Sequence, residues 1–349
     1  MSSEVDHSTS VVHVVDRLTG GVPVAVCDYI RNSPRGIRHT ILSPWVEGRP
    51  SPIWDDVDAA HLDLGASRLR QPMRTRAALR GSDADVIHAH SSFPGAFVRL
   101  VRPSGIPVVY SPHCFKFDDP SVSRALRTAV RGAERLLARR TDVFAVLSGH
   151  EADLARQLGA GARVARVPNT ASVPPRAPRA HAHDAPRRIG MVGRLAGQKD
   201  PAMMIALARE LAAGPAPVEA VWIGGGDDAW TQRLQEAGVR VTGWLRKDEV
   251  TRELDALSLY VHTASYEGFP LSVLDAAARG IPVLGRRIPS LDEVGLLTFD
   301  SASDGAASVR RLLDDPAALR DAQERGERML AQMNPTTQAD ALDAVWRGI

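Results

Sequence analysis

Strand, loop, helix and strand follow one another so tightly between Tyr260 and Arg286 (YVHTASYEGFPLSVLDAAARGIPVLGR) that they read as one βαβ unit of a parallel sheet. A β-like apolar run from Leu259 to Thr263 ends in a loop carrying Glu267, Gly268 and Phe269. Pro270 then opens a helical pattern that closes at Gly280, because proline suits a first helical turn and glycine a helix stop. A second apolar run follows at once. In such sheets ligands bind where strand ends meet helix N-termini. That junction holds Glu267. The amides after Phe269 carry partial positive charge and suit a phosphate, while the carboxylate beside them can only accept hydrogen bonds, so a phosphate and a polyol fit side by side.

A chain of 349 residues is too long for a typical single domain and is expected to form two, each with its own core. Its hydrophobic and charged contents, 44% and 24%, are those of a soluble globular protein, and a net charge of +2 gives no reason to expect nucleic acid as a partner. Cys27 and Cys114, the only cysteines, supply neither a metal set nor a disulfide framework and fit a reducing cytoplasm. The start, MSSEVDHSTS, is polar and acidic, and no run approaches the roughly 20 apolar residues of a membrane span, so a cytoplasmic location is expected.

Taken in order, an apolar run from Val11 to Val15 leads into Gly20-Gly21 and a helix through Ile30, which places a glycine-rich turn at the end of the first strand. Ser43 to Arg80 is rich in Pro, Trp and Arg, without strand periodicity, and is expected to be mostly loop until a helical pattern from Ser67 to Leu79. DVIHAH (Asp85 to His90) and the Pro107 to Tyr110 run are short buried strands; the second ends at Ser111-Pro112-His113. Asp83-Ala84-Asp85 spells the D-x-D of metal-dependent transferases but enters a strand instead of leaving one, so it is read as structural. Arg124, Arg127, Arg131, Arg135 and Arg139 recur at spacings of three and four on a helix from Ser121 to Arg140. That stripe is either a docking surface for anionic membrane or a solvated helix face.

Residues 171–186 (ASVPPRAPRAHAHDAP) lack periodicity and read as a Pro-rich linker, with His181 and His183 solvated. The expected boundaries are 1–172 for a first Rossmann-like domain, 173–186 for the linker, 187–330 for a second Rossmann-like domain, and 331–349 for a terminal helix returning to the first. In the second domain strands end at Gly193-Arg194, at Gly224-Gly225-Gly226 and at Gly243-Trp244-Leu245, and Lys199 follows Arg194 closely. By themselves two cations here read as surface charges; the diphosphate role comes with the resemblance that follows.

An acid, seven residues and a second acid (Glu267 and Asp275), within EGFPLSVLDAAARGIPV, resemble the E-x7-E signature of retaining GT-B glycosyltransferases of family 4. GRLAGQKDP (Gly193 to Pro201) resembles the donor-phosphate motif of that family, and DVIHAHS with VVYSPHCF resembles its polysaccharide-assembly members. The motifs stand in family order over nearly the whole chain. The resemblance implies an α/β GT-B fold of two Rossmann-like domains facing a cleft. It implies a hexosyl- or N-acetylhexosaminyl-transferase that takes a nucleotide-diphospho-sugar donor and passes the sugar to a sugar or lipid-linked sugar acceptor, with no cofactor and no metal. Its implied catalytic residues are His113 at the transferred sugar, Arg194 and Lys199 at the diphosphate, and Glu267 at the sugar hydroxyls. Donor binding would fall to Gly20, Gly21, Gly193, Gly224, Gly243, Leu245, Gly268, Phe269, Leu271, Ser272 and Asp275, and the acceptor side to His88 and His90. Two departures stand out: Asp275 replaces the usual Glu, and the loop after Glu293 is shortened. Rival readings are an inverting GT-B transferase or epimerase, and a non-catalytic sugar-nucleotide-binding subunit. A dehydrogenase is excluded because Gly190-x-x-Gly193 lacks G-x-G-x-x-G.

Overall fold

The computed structural model describes residues 8–159, 161–177 and 187–349. The chain divides into two compact units, Met1–Thr170 with Asn334–Ile349, and Ala171–Met333.

The first unit contains β1 (Thr9–Val15), α1 (Gly21–Arg31), β2 (Ile37–Ser43), β3 (Ala60–Asp63), α2 (Gln71–Arg80), β4 (Val86–His90), α3 (Ser92–Val101), β5 (Val108–Ser111), α4 (Arg124–Ala138), β6 (Val143–Val146), α5 (Gly149–Gln157) and β7 (Arg163–Arg166). Its strands form one parallel sheet in the order β3-β2-β1-β4-β5-β6-β7. The order reverses between β1 and β4, which makes the ends of these two strands the crevice of the sheet. Strands β4, β5 and β6 are buried along their whole length, as expected of a parallel sheet covered on both faces, and this is why they read as unbroken apolar runs. Strand β3 was not legible because it is an edge strand: its residues are largely exposed, so no apolar alternation marks it. Helix α2 occupies the region expected to turn helical from Ser67.

The second unit contains β8 (Arg188–Val192), α6 (Pro201–Ala212), β9 (Glu219–Ile223), α7 (Asp228–Glu236), β10 (Val239–Val241), α8 (Lys247–Asp255), β11 (Leu259–His262), α9 (Leu271–Ala278), β12 (Val283–Arg286), α10 (Pro289–Asp292), β13 (Leu297–Phe299), α11 (Ala302–Asp314) and α12 (Pro316–Gln332). Its parallel sheet runs β10-β9-β8-β11-β12-β13, with the reversal between β8 and β11.

The last helix, α13 (Pro335–Arg347), belongs to the first unit. Its Leu342, Val345 and Trp346 share a core with Val11, Tyr29 and Val86, and Gln338 donates to the Pro168 carbonyl at 2.7 Å. The connection between the units differs from the linker expected at 173–186. Residues 171–177 pack on the second unit: Arg176 donates its backbone N–H to the Ala278 carbonyl and its guanidinium to Asp255, and Arg279 donates to the Pro174 carbonyl. The remainder of the expected linker, with His181 and His183, lies outside the described residues.

Candidate functional site

The reversal point of the second unit collects most of the residues singled out in its sequence. Strand β8 delivers Gly193 and Arg194, and β11 delivers His262, Thr263 and the loop to Glu267. A short 3-10 turn, Gly197–Lys199, is tied across: Thr263 Oγ1 donates to the Lys199 carbonyl at 2.8 Å and the Ser265 amide to the Gln198 carbonyl at 3.0 Å. This brings Lys199 Nζ onto Glu267 Oε1, while Gln198 Nε2 donates to Glu267 Oε2 at 3.2 Å. Glu267 is thereby oriented by two donors, yet a carboxylate offers about four acceptor positions, so it retains capacity for hydroxyls. Arg194 is exposed, and among the described residues it has no hydrogen-bond or ion-pair partner. It is a free guanidinium one turn away in sequence from a paired ammonium.

Contact makes glycine favourable at position 193 and requires it at position 224. A Cβ on Gly193 would lie 3.2 Å from Lys199 Cε, and one on Gly224, whose φ is +141, would lie 2.2 Å from the Gly193 carbonyl oxygen. The strand ends therefore close on one another, and Trp222 Nε1 caps the same carbonyl at 2.8 Å. Gly243 also has a left-handed φ of +72, followed by exposed Trp244 and half-buried Leu245.

Helix α9 starts at Leu271 with Pro270 before it and no side-chain cap, which leaves its first amides for an external acceptor. Ser272 Oγ accepts from Tyr260 Oη at 2.8 Å. Gly268 is buried, and the side chain of Phe269 is only 3% exposed, so the donor contact expected of Phe269 is open to its backbone alone. His262, which was not legible in the sequence as a site residue, is fully buried beneath this loop, its Nε2 3.9 Å from Glu267 Oε1 and without a hydrogen bond. Burial, then the neighbouring Lys199 charge, hold its pKa well below the usual value, so it is neutral. The signal was a histidine at the penultimate position before a site loop.

Asp275, one turn into α9, faces the strap at 171–177. Its Oδ1 accepts from the Ser172 amide at 2.6 Å, its Oδ2 from Ser172 Oγ at 3.0 Å, and the Val173 backbone adds a further bond. Burial nevertheless pushes its pKa up to about 6, against these hydrogen bonds. With Ser172 and Val173 drawing on about four acceptor positions, little capacity remains.

In the first unit His113 and Cys114 follow β5 with left-handed φ values of 50 and 86. Glu151, at the start of α5, holds this turn by accepting from the Cys114 amide at 2.7 Å and the Leu147 amide at 2.8 Å. Its burial raises its pKa to about 7, opposed by those two bonds. His113 meets His90, Nε2 to Nδ1, at 3.1 Å. His88 and His90 do not open outward as expected for an acceptor side. Both are fully buried; His88 accepts from Trp346 Nε1 at 3.2 Å and meets Ser111 Oγ at 2.9 Å, and His90 is held between His113 and His13. The physical reason for His88 is α13, whose Trp346 covers it and His13, and for His90 it is Tyr29 and the flanking histidines. His13, His88 and His90 bring ring nitrogens within 4.8 Å of one another, a spacing open to a metal ion, but all six nitrogens already have protein partners.

Gly20, with φ +87, precedes the uncapped N-terminus of α1 at the β1 end, where the sequence placed a glycine turn. Asp16 beside it was missed: its carboxylate is buried, makes no hydrogen bond, sits 4.0 Å from Arg68, and has a pKa raised by burial. Asp83 and Asp85 are engaged locally, the first with Arg38 and the second with the Ser10 amide. On α4, half-buried Arg127 donates to the Phe117 carbonyl and exposed Arg131 to Gln157, so the stripe is not uniformly free. Leu126 and Leu136 on the same helix are 51% and 66% exposed.

Two family models match in succession: a glycosyl transferase 4-like domain over residues 10–170 and glycosyl transferases group 1 over residues 186–315. The chain belongs to the GT-B glycosyltransferases of the family 4 type. Among the relatives of this family member is a 2-deoxystreptamine glucosyltransferase of Streptomyces kanamyceticus, 28% identical over 65% of this chain and 66% of that protein. Another is the UDP-Gal:alpha-D-GlcNAc-diphosphoundecaprenol alpha-1,3-galactosyltransferase of Escherichia coli, 23% identical over 59% and 58%. The matches thus span less than two thirds of the length of either relative. Similar solved structures include a sucrose-phosphate synthase from Thermosynechococcus elongatus (TM-score 0.79, 18% identity, 97% of this chain and 98% of that one). The Anabaena protein HepE in complex with UDP and glucose is also similar (TM-score 0.77, 15% identity, 98% and 100%). At such identity the likeness speaks for the fold, two parallel-sheet Rossmann-like halves, and no helix among the described residues is long and apolar enough to cross a membrane.

Proposed function

We propose that the chain is a glycosyltransferase that moves a hexosyl or N-acetylhexosaminyl group from a nucleotide-diphospho-sugar to an acceptor hydroxyl with retention of configuration, in polysaccharide or glycoconjugate biosynthesis. The observation that carries this reading is the second unit's reversal point, where an unpartnered Arg194, Lys199 paired with Glu267, and the uncapped start of α9 meet the ends of β8 and β11. A diphosphate is the group that two cations and a helix N-terminus together accommodate. As the bond to the sugar breaks, charge grows on the diphosphate. Arg194, Lys199 and the amides at Leu271 and Ser272 stabilise it, and the diphosphate takes the acceptor proton. Glu267 holds sugar hydroxyls, His113 is the first unit's contact with the transferred sugar, and Asp275 uses its remaining capacity on the ribose. The reaction needs no cofactor and no metal, because its counter-charges are cationic side chains. The acceptor is a sugar or lipid-linked sugar, and the exposed Arg124, Arg135 and Arg139 with Leu126 and Leu136 on α4 dock on anionic membrane.

A non-catalytic sugar-nucleotide-binding subunit is the second reading, favoured by Asp275 in place of Glu and by its engagement with Ser172. Thermal-shift screening against UDP, GDP, ADP and their sugars identifies the donor, and NMR of the product then reads its anomer. A retained anomer supports the proposal; an inverted one, or turnover of the sugar nucleotide to an epimer, overturns it. Binding without turnover leaves the second reading.

A further inference from the structure

Four histidines of the first unit are joined in a way that the sugar-transfer reading does not use. His113 Nε2 meets His90 Nδ1 at 3.1 Å, His90 Nε2 meets His13 Nδ1 at 3.0 Å, His13 Nε2 meets His39 Nδ1 at 3.1 Å, and His39 Nε2 meets Ser33 Oγ at 3.0 Å. The links run head to tail throughout, always Nε2 to Nδ1. They cross the sheet from the β5 end to the second residue after α1, because His39, His13 and His90 sit on the three neighbouring strands β2, β1 and β4. Trp346 closes over His13 and His39, and Tyr29 over His90 and His113. The two ends, His113 and Ser33, are half-buried while the middle is buried. His88 stands outside the chain, since it accepts from Trp346 and must therefore donate to Ser111.

A neutral imidazole has one N–H and one bare nitrogen, so each link dictates the next. If His113 donates from Nε2, His90 is bare at Nδ1 and donates from Nε2, and the same follows for His13 and His39, ending on the Ser33 oxygen. If the Ser33 hydroxyl donates, every ring carries its proton at Nδ1. A mixed chain would set two donors or two bare nitrogens face to face where no water replaces the lost bond. Burial keeps the rings neutral: it pushes His113 and His39 down to about 4 and His13 and His90 well below the usual histidine value.

We propose that Ser33, His39, His13 and His90 are positioning residues that set, through this chain, which nitrogen of His113 carries the proton. Among the described residues His113 Nδ1 has no hydrogen-bond partner, so the sense of the chain decides whether it accepts from a hydroxyl or donates to an oxygen. The chain can also reverse without burying charge. A proton taken up from water at His113 Nδ1 sends the Nε2 proton to His90 Nδ1, and the transfer repeats through His13 and His39 to Ser33 Oγ. The original Ser33 hydroxyl proton leaves to water. The benefit to His113 rests on the sugar-transfer reading; the existence of the chain does not.

The test is a long-range 1H–15N spectrum of the full chain with labelled histidine at about pH 7.5, where free imidazole is mostly neutral. The four rings are expected to be neutral and to share one tautomer. Ser33→Asp, which can only accept, should hold His113 protonated at Nε2, and Ser33→Lys, which can only donate, at Nδ1. Mixed tautomers in the wild type, a protonated ring, or the same His113 tautomer in both variants would overturn the proposal. So would Zn²⁺ moving His13, His88 and His90 together to metal-bound shifts. Once a donor is known, the two variants should differ in kcat by about tenfold or more at equal Tm and equal donor KM. Equal kcat would reduce the chain to a structural role. Lack of any turnover would count against the sugar-transfer reading and leave the tautomer result standing.

Discussion

Replacing Asp275 by Asn tests how α9 is fastened to the strap that begins the second unit. The Asn oxygen can still accept from the Ser172 amide, now 2.6 Å from Oδ1, and its NH₂ can donate to Ser172 Oγ, now 3.0 Å from Oδ2. The substitution therefore keeps both Ser172 bonds and removes a buried charge. In the wild type burial raises the Asp275 pKa from 3.8 to about 6, so this group favours folding below pH 3.8 and loses that contribution as pH rises through about 6. Each tenfold is worth about 1.4 kcal/mol, which makes the loss about 3 kcal/mol once ionisation is complete. Asp275→Asn should have the flatter profile: measured by thermal unfolding at about pH 4.5 and pH 8, its Tm relative to wild type should rise by several degrees toward the higher pH. Parallel profiles would show that Asp275 is not held at a raised pKa. A uniform fall at both pH values would show that Asn cannot keep the Ser172 bonds.

Arg194→Ala and Lys199→Ala should each lower kcat by about 10² or more, with a smaller effect on donor KM; a pure rise in KM in both would assign them uniform binding. Gly224→Ala, with a Cβ 2.2 Å from the Gly193 oxygen and φ +141, should cost about 3 kcal/mol or more and be visible as a lowered Tm, and a wild-type Tm would refute the close approach. Transfer should survive EDTA, whereas a loss restored by Mg²⁺ or Mn²⁺ would contradict the cationic reading. Liposome sedimentation should require anionic lipid, weaken with salt, and drop when Arg124, Arg135 and Arg139 become Gln; equal binding to neutral vesicles would end the membrane proposal.

The second unit was largely legible because its site is local in sequence: strand ends, glycines and the α9 start are written as adjacent text, so Gly193 to Lys199 and Glu267 to Ser272 fell where the sheet reversal puts them. What the sequence hid is what distant segments do to one another. Nothing in the text around Asp275 announces Ser172, far earlier in the chain, as its hydrogen-bond partner. His88 and His90 looked like site residues because they end a strand, but Trp346, 258 positions away from His88, covers His88, and Tyr29, His13 and His113 enclose His90. Asp16 gave only a polar residue after an apolar run, and its burial without a hydrogen-bond partner, near Arg68, exists only in three dimensions. Edge strand β3 carried no pattern because exposure removes the selection for alternation.

The central claim is that the second unit is built to hold a nucleoside diphosphate on Arg194, Lys199 and the start of α9. Calorimetric titration of the full chain with UDP, GDP and ADP tests it without knowledge of sugar or acceptor. One of the three should bind at one per chain, with affinity reduced by about tenfold or more in the Arg194→Ala, Lys199→Ala double variant, as expected for lost charge-assisted bonds. Absence of binding by all three, or undiminished binding by the double variant, would contradict it.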